Sequence, residues 1–204
     1  MILMNGKDSK SKKYSDYAQS IKTYLAGTML LGLVLVCAGP SMAQIDVTKS
    51  TVTATAKQLG VPIEGTFKKI TAAVVFLPAQ LAQSSAKVEI DVASYDMGTP
   101  EYNKEVTGKE WFNAAQFPKA IFQSSSIVAA GPDKYTVLGK LSLKGRVAEV
   151  SLPVTVKSSK GVRIFDGVLP IRRTVFNIGD GEWKDTSVVA DEVLIRFHLV
   201  VAEK

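Results

Sequence analysis

The feature that most constrains this chain is a period-2 alternation of side chains, with one wholly apolar face, in four separate segments. Along residues 87–93, Val88, Ile90 and Val92 share one side, with Lys87, Glu89 and Asp91 opposite. Along 135–143, Tyr135, Val137, Leu141 and Leu143 oppose Thr136, Lys140 and Ser142. Val150, Leu152, Val154 and Val156 alternate with Glu149, Ser151, Thr155 and Lys157. Val193, Ile195, Phe197, Leu199 and Val201 alternate with Leu194, Arg196, His198 and Val200. Successive side chains of a strand point to opposite faces, so each segment reads as a strand with one buried side.

Weaker signals of the same kind occupy 51–57, 67–76, 121–129 and 162–171, giving about eight strands. Turn chemistry separates them: Lys144-Gly145-Arg146, Gly131-Pro132-Asp133, Ser158-Ser159-Lys160-Gly161 and Gly179-Asp180-Gly181. Antiparallel strands that each have one apolar face must close on themselves or pair with a second sheet. The expected fold is therefore all-β, an extended antiparallel barrel. One stretch, 97–118, breaks the rhythm. Thr99 before Pro100 is a helix cap followed by proline at the first helical position, and Thr107 with Glu110 has capping-box spacing. The spacing predicts two short helical turns around 99–116, placed over one mouth of the barrel.

The N-terminal region reads differently. Residues 1–23 carry five lysines against two aspartates, and an apolar run of 15 residues follows at 24–38. Gly39-Pro40 and Ser41-Met42-Ala43 complete the pattern of a secretory signal peptide, with cleavage after Ala43 and a domain over 44–204. A membrane anchor, the competing reading, needs about 20 apolar residues. Removal of the leader takes 20 basic against 17 acidic residues into the domain, a charge of +3, which excludes a nucleic-acid footprint. Export implies a periplasmic location. The single cysteine, Cys37, lies in the leader behind Val36, where a lipoprotein signal has a small residue. The domain thus has no disulfide, and at about 160 residues it buries close to 70% of its unfolded surface without one.

Catalytic chemistry is sparse. One histidine, His198, stands on the polar side of the last strand, and no cysteine accompanies it. Zinc sites built from His and Cys, cysteine nucleophiles, nucleotide loops and hydrolase elbows are all missing. Gly179-Asp180-Gly181-Glu182 lacks the alternating carboxylates of a calcium loop and reads as a turn. No catalytic residue and no metal ligand is assigned, and the chain is read as a non-enzyme without a cofactor signature.

Several segments carry a resemblance: QLGVPIEGTFKK (58–69), VEIDVAS (88–94), EWFNAAQFPKAIF (110–122), GKLSLKGR (139–146) and IRRTVFNIGDGEWKDTSVVADEV (171–193). Together and in this order they resemble the YceI-like family of exported, lipocalin-like, polyisoprenoid-binding proteins. Trp111-Phe112 with Phe117-Pro118, and the late Gly-Asp-Gly-Glu-Trp, resemble the branch found beside cytochrome b561-type membrane proteins. Phe76-Leu77-Pro78 departs from the family, which usually shows an aspartate there. The resemblance implies a barrel of about eight strands around an elongated cavity for an isoprenoid lipid or quinone-type tail.

Eight strands give a barrel that either packs its own side chains or holds one slim ligand. Small inward residues on the first strands (Val52, Ala54, Ala56, Ala72, Val74) favour the second. The apolar lining candidates are Phe67, Ile70, Val74, Phe76, Phe112, Phe117, Phe122 and Phe176. Lys109, Arg172 and Arg173 are candidates for a charged head group. The leading reading is a lipid carrier or store. The alternative is an accessory module for a cytochrome b561-like partner, with a filled barrel and exposed Trp111 and Trp183 as anchors.

Overall fold

A computed structural model describes residues 43–203; the leader, apart from Ala43, lies outside the described residues. Among the described residues, eleven strands form one antiparallel sheet. They are β1 (Ala43–Gln44), β2 (Thr51–Gln58), β3 (Val61–Phe67), β4 (Ile70–Val75), β5 (Ser85–Asp91) and β6 (Tyr95–Asp96). After one helix, α1 (Pro100–Thr107), come β7 (Lys119–Gly131), β8 (Lys134–Leu143), β9 (Arg146–Ser159), β10 (Val162–Arg172) and β11 (Glu192–Ala202).

The eleven reduce to the eight expected, because three strands are each broken in two. β1 and β2 together run antiparallel to β3 and β4, with Ala43 opposite Val74 and Val52 opposite Phe67. β5 and β6 together flank that same pair, Ile90 opposite Ile70 and Tyr95 opposite Phe67. From there each strand pairs with the next, β5 to β7 and on through β11. β11 then pairs with β2, and Ile45 bridges Val201. The last strand meets the first and the sheet closes, leaving no long exposed edge.

Each break moves the inward side by one residue. Phe67 and Ile70 are three apart and both buried; Ile90 and Tyr95 face inward five apart. β7 does the same at a bulge between Ser124 and Ser126, after which Ile127 replaces Phe122 as the inward residue. Such bulges bend a strand and tighten its twist, which a small barrel requires.

α1 begins as the sequence predicts: the Thr99 hydroxyl accepts from the Tyr102 amide, and Pro100 follows. The second helical turn does not form. Thr107 donates its hydroxyl back to the Asn103 carbonyl at 2.9 Å, so it is spent inside α1 instead of capping a new helix. Residues 108–117 are turns, fixed by the amides of Asn113 and Ala114 reaching back to the carbonyls of Gly108 and Thr107. This insertion and the segment 173–191 cover one end of the barrel.

Candidate functional site

The barrel is hollow. A cavity of about 500 Å³ runs along its axis, bordered by inward side chains from nearly every strand. Ala86, Val88 and Ile90 on β5, and Val193, Ile195 and Phe197 on β11, all point inward yet are only half buried. Apolar residues on the inner face of a closed sheet keep accessible surface only where nothing meets them across the axis. A filled barrel, which the accessory-module reading requires, is not what the chain builds.

Aromatic rings close the far end. Phe76 stands edge-on to Tyr135 and to Phe165, with centroids 5.0 and 5.4 Å away. The Arg163 guanidinium lies 5.4 Å from the Phe76 ring centre and donates to the Phe76 carbonyl at 2.6 Å. At the near end, Glu101, Tyr102 and Glu105 of α1 border the cavity and are exposed. Among the described residues no other one bordering it is exposed, so the opening lies beside α1, with Gln58 and Met97 also at its edge.

Three inward glycines keep the bore open. A Cβ at Gly65 would collide with the Tyr95 ring, one at Gly139 with Phe122, and one at Gly167 with Phe197. Each ring comes from an adjacent strand and lies over its glycine, against the wall instead of across the lumen. Tyr95 shows this best: its hydroxyl passes over Gly65 and donates to the Ala54 carbonyl at 3.0 Å. Sequence reading missed these pairs, because the glycine and its ring lie on different strands.

Burial pushes the Tyr95 phenol up from 10.0 to about 12. The folded state therefore holds this proton where the unfolded chain has released it, so the stability it contributes is complete below pH 10. It is lost as the pH rises from 10 through 12, by about 1.4 kcal/mol per pH unit. Urea unfolding across pH 9–12 should show that fall, and Tyr95→Phe should remove this component of the slope; an unchanged slope would refute the assignment.

The cover over the near end is pinned by Arg173, 1% exposed. Its Nη1 donates to the carbonyls of Ile178 and Gly179, both at 2.8 Å; Nη2 donates to Trp183 at 2.8 Å and Val189 at 2.7 Å; Nε reaches Ala190 at 3.1 Å. Burial among neutral carbonyls lowers its pKa, and the nearby Asp191 partly offsets this. Trp111 and Trp183 pack together under this cover, centroids 5.5 Å apart. Both border the cavity, and neither indole N–H has an acceptor among the described residues. They are half buried, so they are not the exposed anchors of the accessory reading.

Of the apolar candidates, Phe67, Val74, Phe76, Phe112 and Phe122 border the cavity. Ile70 and Phe176 are buried in the core without bordering it, and the Phe117 ring packs on Gly145 in the β8–β9 turn. None of the three cationic candidates is placed to receive a head group. Arg173 borders the cavity with its donors committed to the cover. Arg172 points outward and pairs with Asp191 at 2.7 Å, and Lys109 is exposed and does not border the cavity. His198 lies on the outer face, Nδ1 2.6 Å from Asp166 Oδ1. Reading a head-group site from lone cations fails because cations also serve as caps and struts.

Comparison with known proteins agrees with this architecture. The model of the YceI-like domain matches residues 44–201. BcnA of Burkholderia cenocepacia is 56% identical, with a TM-score of 0.75 over 76% of this chain and 98% of that one. A polyisoprenoid-binding domain from Saccharophagus degradans shares the fold at 16% identity, TM-score 0.65, over 79% and 98% of the two chains. Among curated relatives, a UPF0312 protein of Azotobacter vinelandii is 32% identical over 92 residues, 45% of this chain and 46% of that one. A UPF0312 protein of Photorhabdus laumondii is 34% identical over 88 residues, 43% and 45%. The chain spans somewhat under half the length of these curated relatives. With the family model spanning the whole closed barrel, this chain belongs to the YceI-like family.

Proposed function

We propose that this chain is an exported, non-catalytic carrier that holds the apolar tail of one isoprenoid-type lipid along the axis of its barrel. The observation that carries this reading is the hollow itself: a lumen open at one end, walled by inward apolar side chains that stay accessible. Its volume falls in the range of small-molecule sites. Burying a methylene contributes about 0.8 kcal/mol, so a five-carbon unit contributes roughly 3–4 kcal/mol. Three or four units then offset an association cost of about 4–15 kcal/mol with no polar contact. The polyisoprenoid-binding relative from Saccharophagus degradans supports the ligand class, and the signal-peptide pattern of residues 1–43 supports export.

The head group stays at the opening, between Gln58 and the exposed face of α1. Glu101 and Glu105 stand there one helical turn apart, and among the described residues the one cation bordering the cavity, Arg173, is committed to the cover. This rim suits an uncharged head, a prenol or quinone, better than a pyrophosphate. Mass spectrometry of an organic extract of the purified chain should find a stoichiometric isoprenoid. In titration, geranylgeraniol should bind at least about tenfold more tightly than geranylgeranyl pyrophosphate. Extracts without any amphiphile, together with no uptake of either probe, would sink the carrier reading; equal affinities would sink the uncharged head.

A further inference from the structure

The β2–β3 hairpin differs from its counterparts in the same barrel. Three hairpins turn on two residues, both with positive φ: Leu59-Gly60 (49° and 81°), Lys144-Gly145 (46° and 73°) and Lys160-Gly161 (52° and 79°). This backbone favours Asn, Asp or Gly at its first position and disfavours a bulky apolar side chain. One of the hairpins places Lys160 there, in water, and another places Lys144, whose ammonium donates to the carbonyls of Glu110 at 3.0 Å and Asn177 at 2.6 Å. The third places Leu59, which is 73% exposed.

Leu59 is not isolated. Val61, across the turn, is 62% exposed, and Tyr102 on α1 is 61% exposed. All three stand at the open end. Tyr102 borders the cavity, and so do Ala56, Gln58 and Ile63, which lead up to the turn on its two strands. Val61 and Ile63 share the inward side of β3, so the apolar wall of the lumen continues out of the barrel through Ile63 and Val61 to the tip. An apolar residue in a strained turn, exposed at the end of a track that leads inside, matches a surface that is covered in use.

We propose that the β2–β3 tip, Leu59 and Val61, with Tyr102 beside it, inserts into the outer layer of a lipid bilayer and brings the opening against it. The tail then passes between bilayer and barrel without crossing water. This rests on the carrier reading, and it adds the partner surface. The occupant follows from the cargo: an isoprenoid tail is held in bilayers, so a track of apolar side chains ending at the opening must end where the tail resides. Charge beside the tip is mixed, with Glu64, Glu101 and Glu105 against Lys57 and Lys104. Insertion is therefore driven by apolar burial, and vesicles without net charge suffice. Tyrosine at the edge of the patch matches the amphipathic residues that sit at the level of lipid head groups.

The test compares the full chain with its Leu59→Asn/Val61→Thr variant; residues 1–42 are common to both, so any difference reads the hairpin. Asparagine suits the left-handed turn and threonine suits the strand, so the variant should melt no lower than the wild type. Dansyl-labelled geranylgeraniol is presented in two ways, from phosphatidylcholine vesicles and as a dilute dispersion. Uptake from vesicles should slow by at least about tenfold, the equivalent of losing one inserted leucine. Affinity for the dispersed probe should stay unchanged. Equal uptake rates from vesicles would overturn the proposal. So would a wild-type dimer in sedimentation that the variant dissolves, because a second copy would then cover the tip. If the wild type takes up neither form of the probe, the carrier reading fails separately. Vesicle flotation then decides docking: flotation lost in the variant supports it, and equal flotation overturns it.

Discussion

Gly167→Ala is expected to weaken tail binding by at least about tenfold and to lower stability by about 1–3 kcal/mol. The backbone at Gly167 is outside the left-handed region, so an alanine suits the conformation and only space forbids it. The added methyl would meet the Phe197 ring on one side and stand 2.7 Å from the Pro153 carbonyl oxygen on the other. The carbonyl belongs to the sheet and cannot retreat, so the ring swings into the lumen. It then takes the place of about two methylenes of tail, worth about 0.8 kcal/mol each. Adding Phe197→Leu should recover most of the binding and part of the stability, since the carbonyl contact remains. Probe titration and urea unfolding of the single and double variants check both quantities. Binding that survives Gly167→Ala intact would show that the bore does not depend on this ring.

Arg173→Met should cost about 3–5 kcal/mol, the largest stability loss expected of any single replacement near the opening. The guanidinium satisfies carbonyls of Ile178, Gly179, Trp183, Val189 and Ala190, which belong to one irregular segment with no ladder of its own. Without it, those acceptors lose their partner together, and water must enter to replace it. Lysine should rescue little, because a single ammonium cannot reach five carbonyls in a fork. Urea unfolding measures the loss, and hydrogen exchange should rise first in residues 177–190. A variant within about 1 kcal/mol of the wild type would mean the segment is held by packing alone.

The fold was legible where strands run unbroken. β8, β9 and β11 run without a break in their period of two, and their large inward residues were readable one by one. Where a bulge shifts the inward side, alternation fails locally: Ala120 and Phe122 share a face with Ile127, so 121–129 gave only a weak signal. The same parity shift hid β3, whose inward residues Ile63, Gly65 and Phe67 do not keep step with Ile70. The site was legible in kind but not in detail. Small residues on β2 announced a hollow, whereas the choice among phenylalanines depended on which face each occupies after a shift. Phe117 illustrates the limit: its neighbour Gly145 is brought to it by a hairpin. Arg173 failed for another reason, since its partners are backbone carbonyls, which leave no trace in side-chain identity.

The aromatic stop formed by Phe76, Tyr135 and Phe165 turns the lumen into a dead-ended sleeve. Under the carrier proposal, a hydrocarbon entering from the α1 side would advance until its tip touched Phe76, and any surplus would stay outside with the head. Chain length would then be gauged mechanically. Short isoprenoids would sink until their heads were drawn against Gln58 and α1, whereas long ones would hold their heads clear of the rim. Selection by size and selection by head chemistry would become the same event, set by how far Phe76 stands from the entrance.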